Sequence, residues 1–319
     1  MRTVYLGTSP FAVTVLERVA RSEHRPRLVV TRPDRRRGRG RRLAPPPVAE
    51  AARALGLEAA QPDDVNSTEA HAQIAACEPE VVLVCAFGAL IREPLLSDYE
   101  MLNVHPSLLP RWRGAAPIER AIEAGDTVTG VSIMQPTAEM DAGPVCLLAE
   151  EPIRRDDDYG SLSARLAELG GELLVEALER RPECDEQPVE GVTVAPKIEA
   201  DDRRLDPVAA CAADLERRVR ALAPHIGAWV ALAGATADGS QSDDRLGVHA
   251  ARALEVERAP APGALAADGD RVLLGCARGV LELLEVQPAG GRRMGAADWL
   301  RGAAAAFART GAPIREPPA

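Results

Sequence analysis

The chain is poor in aromatic residues: Phe, Trp and Tyr make up 3% of its 319 residues. Leu, Val and Ala must therefore fill its core. Lysine is almost absent, with Lys197 the only one, so arginine carries the positive charge. No apolar run reaches the roughly 20 residues that cross a bilayer, so no membrane partner is expected. The opening stretch MRTVYLGTSP starts a strand at once and lacks the apolar region of a secretory leader. Cys77, Cys85, Cys146, Cys184, Cys211 and Cys276 show no CxxC or Cys/His ligand spacing. No metal is expected. Several of these cysteines sit in apolar runs, which predicts buried free thiols and a reduced, cytoplasmic setting. Net positive charge is lacking too. The formal charge is −10 and the pI about 5.2, and that average speaks against a nucleic-acid binder.

What is present is ordinary globular material, 46% hydrophobic, in a length that suits one large or two ordinary domains. RTVYL, RLVVT, EVVLVCAF and MLNVH read as strands. Helices are expected to about Arg21, in VAEAARALG, over Thr68 to Cys77, and from Ala115 to Gly125. Unbroken apolar strands alternating with helices indicate an α/β architecture with a mostly parallel sheet covered on both faces. TGVSIMQ and GPVCLLAEE follow as strands, and Tyr159 to Arg180 has helical apolar spacing. From Pro182 the chain becomes rich in Pro, Glu and Asp. Beyond it a helix from Pro207 to about Leu222, several short strands with Gly/Asp turns and a last helix near Ala296 to Ala308 suggest a small β-barrel. The expected division is 1–181, a linker at 182–206, and 207–319.

The stretch NVHPSLLPRWRGAAPI, from Asn103 to Ile118, is unlike core sequence. It ends a strand with Asn103 and His105, two residues apart and so on one face. In parallel sheets ligands bind beyond the carboxyl ends of strands. An amide and an imidazole there suit an oxygen that becomes negative during a reaction. MDAG at 140–143 adds Asp141, which can orient His105 or take a proton. Spacing alone leaves the plain alternatives open. His105 can be a strand-end histidine bonded to backbone, and Asp141 an ordinary turn aspartate.

NVHPSLLPRWRGAAPI together with TGVSIMQPTAEMDAGPV resembles the folate-dependent formyltransferases. The likeness runs from GTSPFAV through VCAFG to LLEVQPAGGRRMGAADWL, and within the family it points to members that formylate initiator methionyl-tRNA. It implies a Rossmann-like catalytic domain and an OB-like C-terminal domain. It implies a catalytic trio of Asn103, His105 and Asp141, and 10-formyltetrahydrofolate as donor. The α-amine of tRNA-bound methionine would attack the formyl carbon. Asn103 and His105 would stabilise the oxyanion, while Asp141 would hold the imidazole and assist proton removal. Tetrahydrofolate would lie near Ser107, Leu108, Leu109 and Pro110, with Phe87 and Gly88 lining the same pocket. The leucines can equally be core anchors. The expected oligomeric state is a monomer.

One segment defies the acidic average. RPDRRRGRGRRLAPPPV, residues 32–48, holds seven arginines, at 32, 35, 36, 37, 39, 41 and 42. Its Gly, Pro and charge argue against helix or sheet. Such a run is either a solvated charge cluster or a grip on phosphates. The resemblance implies the latter: Arg35, Arg36, Arg37, Arg39, Arg41 and Arg42 would meet the tRNA, with Arg39 at the family's functional position. Arg217, Arg218, Arg220, Arg292 and Arg293 are further candidates. Two rival readings remain in view. A formyltransferase acting on a nucleotide-sugar amine or glycinamide ribonucleotide would share the trio but not need the arginines. A non-enzymatic RNA-binding protein would need the arginines but not the trio.

Overall fold

The structure is a computed structural model that describes residues 1–37, 42–235, 241–256 and 259–302. Its strands, in chain order, are β1 (Thr3–Gly7), β2 (Leu28–Val30), β3 (Arg35–Arg37), β4 (Arg42–Ala44), β5 (Ala59–Ala60), β6 (Val81–Cys85), β7 (Met101–His105), β8 (Arg113–Gly114), β9 (Val128–Met134), β10 (Val145–Pro152), β11 (Val194–Ala195), β12 (Ala228–Ala235), β13 (Gln241–Leu254), β14 (Leu265–Asp268), β15 (Arg271–Gly275), β16 (Val280–Pro288) and β17 (Met294–Gly295). The α-helices are α1 (Pro10–Ala20), α2 (Pro47–Ala54), α3 (Thr68–Ala76), α4 (Leu95–Asp98), α5 (Pro117–Ala124), α6 (Tyr159–Arg180) and α7 (Ala212–Leu222).

The chain divides into two compact units. The first comprises Met1–Pro117, Thr127–Ile153 and Leu162–Pro196; the second comprises Ile118–Asp126, Arg154–Ser161 and the chain from Lys197 onward. The first unit is built on a sheet of order β10-β9-β7-β6-β1-β2-β5. β5, β2, β1, β6 and β7 run parallel, whereas β9 pairs antiparallel with β7 and β10 pairs antiparallel with β9. Local signals set its helices. Ser9 caps α1 by accepting from Ala12 N at 3.3 Å, ahead of a proline in the first turn, and Ser67 caps α3 through Ala70 N. The parallel strands carry near-continuous apolar sequence because both their faces are buried: every residue of β1 and β6 is buried.

α6 approaches the sheet through two adjacent glycines. A Cβ on Gly170 would lie 2.8 Å from Val104 Cγ1 in β7, and one on Gly171 would lie 2.9 Å from Arg18 Cβ in α1. Glycine inside a helix costs about 1 kcal/mol against alanine, and here the close approach offsets that cost. In the second unit, an antiparallel sheet of order β12-β13-β16-β15-β14, with β17 beside β16, packs with α7 around Leu215, Val219, Leu246, Val248, Leu281 and Val286.

Several expectations need correction. The arginine-rich segment does pair: Arg35 to Arg37 face Ala44 to Arg42 in an antiparallel hairpin. Main-chain pairing needs no apolar side chains, and exposed guanidiniums are screened by water and salt. Cys146 and Cys184 are not free thiols but a disulfide, with Cα atoms 3.9 Å apart. Val145 and Asp185 exchange both backbone hydrogen bonds, which sets the neighbouring cysteines side by side, a pairing that a separation of 38 residues hides. α7 begins at Ala212 rather than Pro207, because Asp206 Oδ1 captures the amides of Val208 and Ala209 in a turn. Trp229 is half-buried on the outer face between buried Ala228 and Val230, with the Arg245 guanidinium 4.1 Å from its ring centre. The LAAD sequence of β14 has little strand propensity, and the strand is held by antiparallel pairing with β15. The last helix is seen over 296–302, and its expected remainder lies outside the described residues.

Gly170→Ala tests the helix–sheet contact. The variant is expected to lose about 1–3 kcal/mol in urea unfolding despite the better helix former, because Val104 has little room to yield. A more stable variant would mean that α6 does not bear closely on β7.

Candidate active site

β7 lies between parallel β6 and antiparallel β9, with Val84 and Met134 flanking Asn103, and Ser132 beside His105. Met101, Leu102 and Val104 are buried, and His105 is only 4% exposed. The two polar side chains at the strand's carboxyl end thus share the face that the i, i+2 spacing predicts.

The two ring nitrogens of His105 have different partners. Nε2 lies 2.9 Å from the carbonyl oxygen of Trp112. A carbonyl can only accept, so Nε2 carries the proton in the neutral ring. Nδ1 is then an acceptor, and it faces Asp141 Oδ2 at 3.7 Å. The backbone bond of the plain alternative is therefore present at Nε2, while Nδ1 faces the carboxylate.

The Arg-Trp-Arg-Gly loop exists to present these partners. Trp112 has φ +62° and its amide is held by Thr193 Oγ1 at 2.8 Å, which aims its carbonyl at the imidazole. Gly114 donates its N–H to Asp141 Oδ2 at 2.9 Å. It has φ +124°, and a Cβ there would lie 2.6 Å from Ala195 O, so no other residue fits. Asp141 itself has φ +50°. Asn103 Nδ2 lies 3.7 Å from Met134 Sδ. Sulfur is a weak acceptor, so this amide retains a donor for a stronger one.

The turn after β7 is fastened from β9. Ser132 Oγ donates to Ser107 O at 2.8 Å and accepts from Leu109 N at 3.1 Å, while Ser107 Oγ donates to Arg111 O at 2.6 Å. The Leu109–Pro110 peptide is cis. Ser107 and Leu109 are buried, and Leu108 and Pro110 half-buried. Leu108 lies over Gly130, where a Cβ would meet its Cδ2 at 2.5 Å. After β6, Ala86 and Gly88 have φ +42° and +75°. The Phe87 ring packs in the core with Val4, Leu6 and Val84, while open space lies over Gly88. Burial pushes the neighbouring Cys85 thiol up to about 12, which removes it as a nucleophile at neutral pH. β1, β2, β6 and β7 are parallel, so the 86–88 and 106–112 turns and the arginine hairpin all leave the same edge of the sheet.

In that hairpin Arg35, Arg36 and Arg42 are exposed and Arg37 completes β3; Arg39 and Arg41 lie outside the described residues. On α7, Arg217 pairs with Asp214, Arg218 with Glu123 at 2.6 Å, and Arg220 with Glu216 at 2.9 Å; Arg293 pairs with Glu285. Among the described residues no group of three or more His, Cys, Asp or Glu side chains could hold a metal ion. No described helix is long and apolar enough to cross a membrane.

Sequence reasoning singled out the trio but missed its supports: Trp112 O, Gly114 N, Ser132 and Gln187. Only Ser132 had a visible signal, as a hydroxyl inside the apolar strand GVSIM. Ser132→Ala leaves a buried carbonyl and a buried amide unpaired. The expected loss is about 1–3 kcal/mol for each group left unsatisfied, read by chemical denaturation. A change of a few tenths would show that the 107–110 turn is held by other means.

Residues 1–178 match the Formyl transferase family and residues 197–304 match the Formyl transferase C-terminal domain. A methionyl-tRNA formyltransferase of Halorhodospira halophila is 43% identical over 307 residues, covering 94% of this chain and 96% of the relative. One of Stenotrophomonas maltophilia is 42% identical over 308 residues, covering 94% and 97%. Solved structures with the same fold include Aquifex aeolicus HypX in complex with tetrahydrofolic acid, at 20% identity and TM-score 0.62, covering 94% of this chain and 47% of that one. Another is a methionyl-tRNA formyltransferase of Clostridium thermocellum, at 15% identity and TM-score 0.57, covering 80% and 94%. The chain belongs to the formyl transferase family, and its full-length relatives are methionyl-tRNA formyltransferases.

Proposed function

We propose that this chain transfers the formyl group of 10-formyltetrahydrofolate to the α-amine of methionyl-initiator tRNA, giving the N-formylmethionyl-tRNA used to begin translation. The observation that carries the reading is the His105–Asp141 pair, with the imidazole's outer nitrogen fixed by the Trp112 carbonyl. The donor supplies a formyl carbon on an aryl-substituted nitrogen, a weakly basic leaving group. His105 Nδ1 takes the proton that the methionine amine must lose, and Asp141 stabilises the resulting charge. Asn103 Nδ2 donates to the formyl oxygen as it gains negative charge. The imidazolium then returns its proton to the departing nitrogen.

The folate site we assign to the turns at Phe87–Gly88 and Ser107–Pro110. Gly88, with positive φ and open space over it, and the half-buried apolar Leu108 suit a flat ring. Residues 1–181 form the catalytic part in this reading, 182–206 join it to the remainder, and 207–319 form an OB-like tRNA-binding domain. Arg35, Arg36, Arg37, Arg39, Arg41 and Arg42 meet phosphates of the tRNA. A nucleotide-sugar amine would employ the same trio, but it gives the arginine hairpin nothing to do.

The direct test is incubation with 10-formyltetrahydrofolate and methionyl-initiator tRNA, followed by deacylation and detection of formylmethionine. No product, with folate still bound, would assign the chain a different amine. His105→Ala and Asp141→Asn are each expected to lower kcat by about 10²–10⁴ while sparing donor binding. A near-normal rate in either would remove that residue from the mechanism. Arg39→Ala is expected to raise KM for tRNA and leave KM for the donor unchanged. Replacing Arg35, Arg36 and Arg42 together with alanine should reduce the slope of log K against log salt by about 2–3 if each neutralises one phosphate. An unchanged slope would return them to the solvated surface.

A further inference from the structure

The turn that carries Asp141 has little to hold it in place by itself. Met140 beside it is 60% exposed, and Asp141 stands in the left-handed region at φ +50°, a conformation that costs a non-glycine residue about 1–2 kcal/mol. Within the turn, Thr137 Oγ1 reaches Glu139 O and Ala142 N reaches Glu139 O at 3.4 Å. Neither bond touches the aspartate. Its carboxylate is tied to Gly114 N, but a carboxylate hydrogen bond orients only the end of the side chain.

The missing restraint comes from far along the chain. Gln187 Nε2 donates to Asp141 O and to Gly143 O, each at 2.8 Å, and so clamps the carbonyls of the two residues that flank Ala142. Its Oε1 accepts from Arg113 Nε at 2.9 Å. Arg113 immediately precedes Gly114, the residue that grips the Asp141 carboxylate. The Gln187 amide therefore closes a ring: aspartate backbone, glutamine, Arg113, Gly114 and back to the aspartate side chain. Its two N–H groups and its oxygen are all engaged. Gln187 is itself placed by the Val145–Asp185 bridge, by the Cys146–Cys184 disulfide and by β11 pairing with β8. A residue used so fully on one turn has a task that a surface glutamine does not.

We propose that Gln187 is a positioning residue that holds Asp141 at His105 Nδ1 for formyl transfer. The inference rests on the proposed reaction and adds a residue to it. Gln187 touches neither reactant, and it acts by fixing where the carboxylate stands. Arg113, which donates to Gln187 Oε1, also lies 3.8 Å from Glu139.

Two substitutions separate positioning from mere support. Gln187→Glu keeps the size of the side chain and an acceptor for Arg113, but sets an oxygen against two carbonyls. Gln187→Ala removes every bond. Both are expected to lower kcat about ten- to a hundredfold, the scale of a misplaced catalytic group, with KM for donor and tRNA little changed. The decisive reading needs no substrate. The Gly114 amide proton is followed by NMR in the full-length protein. If Asp141 retreats, this N–H loses its carboxylate acceptor, so its resonance moves upfield in both variants. A variant that loses activity and unfolds earlier, with the Gly114 resonance unmoved, would overturn the proposal and make Gln187 a structural tie. So would full activity in Gln187→Glu. Because the resonance is read without formyl transfer, a shifted resonance in a protein that formylates nothing would uphold the clamp and reject the reaction.

Discussion

The hydrogen bond from His105 Nε2 to the Trp112 carbonyl decides what the candidate site can do. It fixes the tautomer, so the basic nitrogen is Nδ1, and Nδ1 is the one that faces Asp141. Reversing the tautomer would put an N–H against the carboxylate in the neutral ring and leave no unprotonated ring nitrogen on that side. Much of the surrounding backbone serves this one bond. β7 delivers the ring, Thr193 holds the Trp112 peptide, β8 and β11 steady the loop, and Gly114 turns the carboxylate inward.

The site is also where the backbone departs from its easy conformations. Among the described residues, the non-glycine positions with positive φ are Glu78, Ala86, Trp112, Asp141 and Arg181. Trp112 and Asp141 hold the imidazole's two partners, and Ala86 lies in the turn beyond β6. Such conformations persist only where neighbours over-determine them. Here the neighbours can be named: Thr193 for Trp112, and Gly114 with Gln187 for Asp141. The unit spends local stability at the edge of a sheet whose buried apolar strands supply it.

The sheet was legible in the sequence because buried parallel strands write themselves as unbroken apolar runs, and VVLVC and MLNVH could be read directly. The pairing of Asn103 with His105 followed from the period of a strand. Asp141 needed the family likeness, since a turn aspartate has no distinguishing local pattern. Its clamp could not be read at all. Gln187 lies 46 residues from Asp141, in a stretch whose Pro, Glu and Asp content suggests only a linker. The disulfide was hidden for the same reason, because register across non-local strands leaves no trace in spacing. The arginine hairpin was misread where charge and glycine were taken to forbid pairing, which depends on the main chain.

The measurement that bears most directly on this account is the nitrogen NMR spectrum of the His105 ring at a pH where it is neutral. The account requires the proton on Nε2, hydrogen-bonded to Trp112 O, and an unprotonated Nδ1. A ring protonated on Nδ1 would contradict it, because Asp141 would then face a donor and His105 could not receive the amine's proton there.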